Sequence, residues 1–278
     1  MPELPEVETI KNLLRTGGLK NPPLLGLTIT SAQLLWLRSL VTPTPQEFLA
    51  SLPDQTIREI ERRGKFLIFR LSRQALLIHL RMSGDLFVET PDAPIALHYR
   101  LVINLEGPSN LKLRLVFNDA RKFGRLWFVE DPQEILAGLG PEPLDPAFTA
   151  QLLYLRLHAS HRQLKPLLLD QTFLAGLGNI YADEALHLAH LHPLMLSHQV
   201  TLEQATSLWM SIRQTLKEGI RRNGASIDWV YRGGDFQNYF RVYQRTGQPC
   251  PECGTPIQRL VVGQRGTHIC PQCQVLDL

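Results

Sequence analysis

All four cysteines of the chain fall in one short span, Cys250-x2-Cys253-x16-Cys270-x2-Cys273, and nothing else in the sequence limits the possible fold so tightly. Each C-x-x-C turn offers two thiolates from one knuckle, and zinc takes four such soft ligands at the corners of a tetrahedron. Between the knuckles, Ile257–Val262, a Gly263-Gln-Arg-Gly266 turn and Thr267–Ile269 read as a hairpin. The spacing predicts a zinc ribbon with one structural Zn2+ on Cys250, Cys253, Cys270 and Cys273. Two disulfides are the competing arrangement, rare in a cytosolic protein. Four thiolates leave no open coordination position, so the metal is expected to hold structure and not to catalyse. Arg259 and Arg265 would stand on the hairpin, within reach of phosphates.

Upstream, the pattern changes twice. Residues 5–15 read as a helix: Pro5 suits a first turn, acids follow it, and Val7, Ile10, Leu13 and Leu14 share a face before Gly17-Gly18. From about 25 to 130 the apolar runs are short and turn-bounded: Phe66–Leu71, Ala75–Leu80, Leu86–Glu89, His98–Leu105, Leu111–Phe117 and Arg125–Val129. Such closely spaced strands predict a sandwich or barrel. The Gly/Pro-rich stretch 138–146 reads as an interdomain linker. Helical periodicity then covers Phe148–Leu157, Leu164–Leu169, Ile180–Ala189 and Leu202–Arg222.

With 44% hydrophobic and 20% charged residues, the chain of 278 can bury a core and is not disordered by composition. Its longest apolar stretches are too short to cross a bilayer, and Glu3, Glu6 and Glu8 stand where a signal peptide would be basic. No membrane association and a cytoplasmic location are expected. Net charge is only +3, but it is unevenly placed. Ile57–Met82 carries seven Lys/Arg against two Glu, and Ser211–Leu278 nine against five acids. Two basic segments in a near-neutral chain predict local anion-binding faces.

The opening string, Met1-Pro-Glu-Leu-Pro-Glu-Val-Glu-Thr9, carries the sharpest chemistry. A small second residue such as Pro2 normally permits removal of the initiator Met, which leaves a secondary amine. An α-amino group titrates near pH 8, and the positive end of the following helix would disfavour its ammonium form further. A secondary amine attacking a sugar C1′ forms an iminium. Glu3 and Glu6 are placed to serve the same centre as proton donor and electrostatic support. Taken without the rest of the chain, these residues are also ordinary first-turn residues.

This opening, with the ribbon at the other end, closely resembles the bacterial formamidopyrimidine-DNA glycosylase family, which excises 8-oxoguanine and ring-opened purines. The resemblance runs through Arg62-Arg-Gly-Lys-Phe66, His79-Leu-Arg-Met-Ser-Gly84, Asn118-Asp-Ala-Arg-Lys-Phe-Gly124, Gly176-Leu-Gly-Asn-Ile-Tyr-Ala-Asp-Glu184 and Gln264-Arg265. It implies an α+β multidomain fold: an N-terminal helix with a two-layer β-sandwich over 1–135 and a linker over 136–147. A helix-two-turns-helix domain over 148–223, a lesion-capping loop over 224–240 and a zinc ribbon over 241–278 would follow. It implies a bifunctional glycosylase and abasic-site lyase acting on double-stranded DNA in a cleft, as a monomer associated with the bacterial nucleoid.

By the same resemblance, Pro2 is the nucleophile, Glu3 the acid that protonates the sugar ring oxygen, Glu6 its support, and Lys65 the lysine at the flanking phosphate. Strand cleavage by β- and then δ-elimination would follow from the iminium. Met82, Arg121 and Phe123 match the three residues that fill the gap left by the extruded nucleotide. Lys165, Asn179 and Arg265 match phosphate-binding positions. In the capping loop, Gly224-Ala225-Ser226 departs from the more usual Gly-Gly start, and Trp229 stands where tyrosine is expected, which bears on base preference. His79 and His161 read as structural or exposed. The alternatives are an endonuclease VIII-type glycosylase for oxidised pyrimidines, against which Leu4 argues, and a non-catalytic zinc-ribbon DNA-binding protein.

Overall fold

A computed structural model of the chain describes residues 1–18, 21–226 and 233–276. It divides into two compact units, Met1–Ala137 with Ser226–Gly233, and Gly138–Ala225 with Gly234–Leu278.

The first unit begins with helix α1 (Leu4–Thr16), in which Leu4, Val7, Ile10 and Leu14 are buried. Their spacing lays one apolar stripe on the sheets behind it. Gly17 ends the helix at φ +80, where a Cβ would meet the Asn21 carbonyl. Then follow β1 (Thr28–Leu34), β2 (Leu40–Thr42), α2 (Pro45–Ser51), β3 (Ile57–Arg63), β4 (Phe66–Leu71), β5 (Ala75–His79), β6 (Gly84–Glu89), β7 (Tyr99–Glu106), β8 (Lys112–Asp119), β9 (Arg125–Val129) and the short α3 (Gln133–Leu136). The strands form two sheets, ordered β1-β7-β8-β6 and β2-β9-β5-β4-β3. All pairings are antiparallel except β2 with β9.

One core lies between the sheets. Leu67, Phe69, Leu76 and Ile78 from one sheet meet Leu101, Ile103, Leu115 and Phe117 from the other, with α1 closing the side. Alternation along β8 puts Leu113, Leu115 and Phe117 inward. Each such fully buried side chain contributes about 1.5–3 kcal/mol of transfer free energy. Five elements here carry no expectation from sequence: β1, β2, α2, β3 and α3. Strand β3 is an edge with only Ile57 and Ile60 buried, so its charges hide its period.

The second unit holds α4 (Ala150–His158), α5 (Leu164–Leu168), α6 (Asn179–Leu188) and α7 (Leu202–Arg221), then β10 (Gln258–Val262) and β11 (Arg265–Ile269). Helix α7 packs on both α4 and α6, and Gly219 lets it approach the Tyr181 ring, which any Cβ would strike. Among the described residues, no helix is long and apolar enough to cross a membrane. The stretch read as a linker is packed down. Gly140 N–H donates to the Gln171 carbonyl, the Pro141 carbonyl accepts from Ala175, and Arg213 donates to the carbonyls of Pro143 and Asp145. From Gly138 onward this stretch belongs to the second unit.

Candidate functional site

The chemistry expected of the N-terminus needs carboxylates held at the first turn of α1. Glu3 and Glu6 are both only 2% exposed, and the Glu3 backbone N–H donates to Glu6 Oε2 at 2.7 Å. That bond is one half of a capping box, and it fixes Glu6 beside the start of the helix. Pro2 is buried, and Met1 is exposed. Acids are favourable here because the unpaired N–H groups of a helix start carry partial positive charge.

Lys65 sits in the two-residue turn between β3 and β4, with Gly64 at φ +57. The turn is tied to α1. Glu8 accepts from Arg62 Nε at 2.8 Å, and Arg62 Nη1 donates to the Gly64 carbonyl at 2.9 Å. This chain of contacts links the second turn of α1 to the turn that carries Lys65.

His79, which from sequence reads as structural or exposed, lies beside the same turn with its ring edge-on to Phe66. Its Nδ1 accepts from the Arg81 backbone N–H at 3.0 Å. Burial, then the charges of Arg81 and Lys65, depress its pKa to about 3. The unfolded chain would protonate this ring near pH 6.5 and the folded chain would not. The stability it carries is therefore present above pH 6.5 and lost as pH falls towards 3. Between pH 7 and 5 the first unit should lose about 2 kcal/mol from this residue alone. Urea unfolding of the wild type and His79→Asn at both pH values checks it: the variant should lose less, and equal slopes would remove His79 as the cause.

Met82 and Phe123, which the resemblance matches to gap-filling positions, are 37% and 46% exposed and so are not part of the core. They ride on two loops joined by one buried carboxylate. Asp119 accepts from the Ser83 hydroxyl, from Arg121 N–H at 3.2 Å and from Gly124 N–H at 2.7 Å. Ser83 Oγ also accepts from Arg121 N–H, at 3.1 Å. The Arg121 guanidinium lies 5.0 Å from the centre of the Phe123 ring, which holds both side chains outward as a pair. A methionine, an arginine and a phenylalanine are thus exposed on a pinned pair of loops.

In the second unit, the start of α6 and the β10–β11 hairpin converge. Asn179, first residue of α6, donates Nδ2–H to the Gly266 carbonyl at 3.0 Å. Arg265 is exposed at the hairpin, whose turn residues Gly263 and Gln264 both have positive φ. Exposed cation and helix N-terminus together suit a phosphate.

Lys165 does not join them. It is fully buried, with Nζ donating to Asp183 Oδ1 (2.5 Å), Thr267 Oγ1 (2.8 Å) and the Gly266 carbonyl (3.1 Å). An ammonium has three protons, and here three protein acceptors take them. Its place is to bind hairpin to helix.

Two carboxylates that sequence reasoning gave no role complete this frame. Asp183 also accepts from His268 N–H at 2.9 Å. Glu184 accepts from the N–H groups of Arg241, Val242 and Tyr243 at 2.8–2.9 Å. The signal was an Asp-Glu pair inside an apolar helix, where a charge survives only with partners.

Of the stretch 224–240, residues 227–232, Trp229 among them, lie outside the described residues. Its base is anchored: Phe236 N–H donates to the Gly224 carbonyl at 2.9 Å, and Phe236 stacks on Tyr181 with ring centres 5.2 Å apart.

The four cysteine sulfurs lie within 4.8 Å of one another. Pairs stand at 3.4 Å (Cys253–Cys270), 3.5 Å (Cys253–Cys273) and 3.9 Å (Cys250–Cys273), far beyond bonded sulfurs and near the roughly 3.8 Å edge of a tetrahedron with Zn–S of about 2.3 Å. Burial, then the neighbouring sulfurs, pushes the Cys273 thiol well above its ordinary range. Four thiolates this close need a dication among them, and one structural zinc fits. With all four positions taken by protein, it offers no site for substrate.

Residues 1–126 match the formamidopyrimidine-DNA glycosylase N-terminal domain, residues 139–230 the formamidopyrimidine-DNA glycosylase H2TH domain, and residues 247–275 the zinc finger found in FPG and IleRS. The formamidopyrimidine-DNA glycosylase of Protochlamydia amoebophila is 42% identical over 99% of both chains. That of Chloroflexus aurantiacus is 43% identical over 99% of this chain and 98% of its own. Among solved structures, Lactococcus lactis Fpg bound to DNA containing N7-benzyl-Fapy-dG is 36% identical, with a TM-score of 0.90 over 99% of this chain and 100% of that one. MutM in complex with DNA containing carbocyclic 8-oxo-G is 37% identical over the same shares, with a TM-score of 0.89.

Proposed function

The chain belongs to the formamidopyrimidine-DNA glycosylase family, and from that premise we propose how its residues divide the work of excising an oxidised purine from duplex DNA and cutting the strand there. Once Met1 is removed, the Pro2 nitrogen is a secondary amine at the positive end of α1. It attacks C1′ of the extruded nucleotide. The bond from C1′ to the base breaks, and the base leaves with a proton. Glu3 protonates O4′ as the sugar ring opens, and loss of the proton on nitrogen leaves an iminium between Pro2 and C1′.

The iminium makes the C2′ hydrogen acidic. Its removal expels the 3′ phosphate, and a second elimination expels the 5′ phosphate. Hydrolysis of the imine frees the amine. Lys65 holds the flanking phosphate during both eliminations, while Asn179, the α6 N-terminus and Arg265 hold backbone phosphates. Met82 and Phe123 occupy the space the nucleotide leaves, and Arg121 bonds the orphaned partner base. One chain carries every group in this scheme, so the acting form is a monomer, working wherever its DNA substrate is.

The observation that carries this reading is the buried pair Glu3 and Glu6 at the start of α1, sequestered next to Pro2. Glu3→Gln keeps shape and hydrogen bonding but supplies no proton to O4′. Single-turnover excision of 8-oxoguanine should fall by roughly 10²-fold, with DNA affinity nearly unchanged. Near-normal turnover would take Glu3 out of the mechanism.

A further inference from the structure

The zinc ribbon meets α6 along the helix's whole length. Near the N-terminal end, Asn179 and Asp183, together with Lys165 of α5, bind the hairpin through Gly266, Thr267 and His268. Beyond the C-terminal end, Gln274 Nε2 donates to the Leu191 carbonyl at 2.9 Å. Between these attachments one contact reaches the metal site itself. The His187 side chain is fully buried, and its Nε2 lies 3.4 Å from Cys250 Sγ.

We propose that His187 is a positioning residue for the zinc, donating Nε2–H to the Cys250 thiolate. Among the described residues, the other ring nitrogen has no hydrogen-bond partner, and a carboxylate oxygen of Glu252 stands 3.8 Å from it. The sulfur is therefore the acceptor within hydrogen-bonding reach. The proton is on Nε2 whether the ring is charged or neutral in that tautomer. His187, Glu252 and Cys273 lie within 4.8 Å of one another, so the ring could be taken for a ligand. Four cysteines already complete a zinc tetrahedron, and a fifth donor would have to displace one.

A donor aimed at a metal-bound thiolate does two things. It draws charge from the sulfur, lowering the repulsion among four thiolates, and it fixes the direction of the sulfur. Here it also fixes the first knuckle to the helix whose other end carries Asn179. Metal retention and the geometry of the phosphate-binding corner would thus share one helix.

The experiment uses the zinc-loaded protein. His187→Phe keeps a planar ring of similar size and has no donor, whereas His187→Gln keeps an N–H. Zinc release to a chromophoric chelator should be about tenfold faster in His187→Phe and within about twofold of wild type in His187→Gln. In cadmium-113-substituted protein with labelled histidine, the His187 Hε2 proton should show scalar coupling to the metal across the hydrogen bond. That signal reports the bond itself and would not arise from packing. Unchanged zinc release in His187→Phe overturns the proposal. So does fast release in both variants, or absence of the coupling in folded, cadmium-loaded wild type, since each makes His187 a packing residue only.

Discussion

A form of this protein that keeps any residue ahead of Pro2 is expected to give no borohydride-trapped adduct with damaged DNA. Its incision of an 8-oxoguanine duplex should fall to background. The reason lies in one nitrogen. Within an X–Pro peptide its lone pair is delocalised into the carbonyl, so it is neither basic nor nucleophilic. Released from Met1, it becomes a secondary amine that titrates near pH 8, and the N-terminus of α1 together with the buried setting of Pro2 favours its neutral form. Pro2→Gly and Pro2→Ala should keep weak trapping through a primary amine. The measurement pairs intact mass, which shows whether Met1 is gone, with trapping and with DNA affinity. Affinity within about threefold of the processed form would show that the extension blocks chemistry and not docking. A robust adduct from an uncleaved, extended chain would move the nucleophile elsewhere. The same assay separates this enzyme from a ribbon protein that only binds DNA, because only an amine nucleophile leaves a reducible link.

How far the sequence reached depended on how local each signal was. The cysteine spacing specified the ribbon because a metal tetrahedron needs four ligands at short range. Helices α4 to α7 followed from 3.6-residue periodicity, within two residues at each end. Strand β3 did not, because an edge strand buries only Ile57 and Ile60 and fills the remaining positions with charges that salt bridges hold on the surface, such as Glu61 with Arg70. Helix α2 was legible but unread: Thr44-Pro45-x-Glu47 is a capping box, with Glu47 accepting from Thr44 N–H at 3.0 Å.

At the site, motif resemblance could name Lys165 but not its surroundings. Whether a lysine faces phosphate or an internal aspartate depends on Asp183 and Thr267, which are remote from it in sequence. Exposure is non-local in the same way. Only the fold separates Met82 and Phe123 from core residues, because the network around Asp119 that turns them outward joins residues 36 positions apart.

The second large effect is expected from breaking the zinc site. Cys250→Ser or Cys273→Ser should lose the metal and unfold the ribbon, since thiolate ligation and folding of so small a hairpin are one event. DNA affinity should then fall on the order of 10²–10³-fold, because Arg265 loses its platform and Asn179 its Gly266 partner. The damage should spread to the helices of the second unit. Lys165 and Asp183 would lose Thr267, Gly266 and the His268 N–H, and an ion pair at a packed site stripped of its hydrogen bonds costs more than it contributes. The first unit has its own core and should keep its fold and its unfolding transition. Arg265→Ala isolates the phosphate contact. It should retain zinc, weaken binding by about tenfold, and lower the slope of log affinity against log salt by about one. At protein concentrations that saturate the DNA, borohydride trapping should persist in every one of these variants, because the amine and its carboxylates lie in the other unit. Zinc that took part in the reaction would give the opposite pattern. Cysteine variants that bind DNA with normal affinity yet form no adduct would show that the metal acts in catalysis and overturn its assignment as structural.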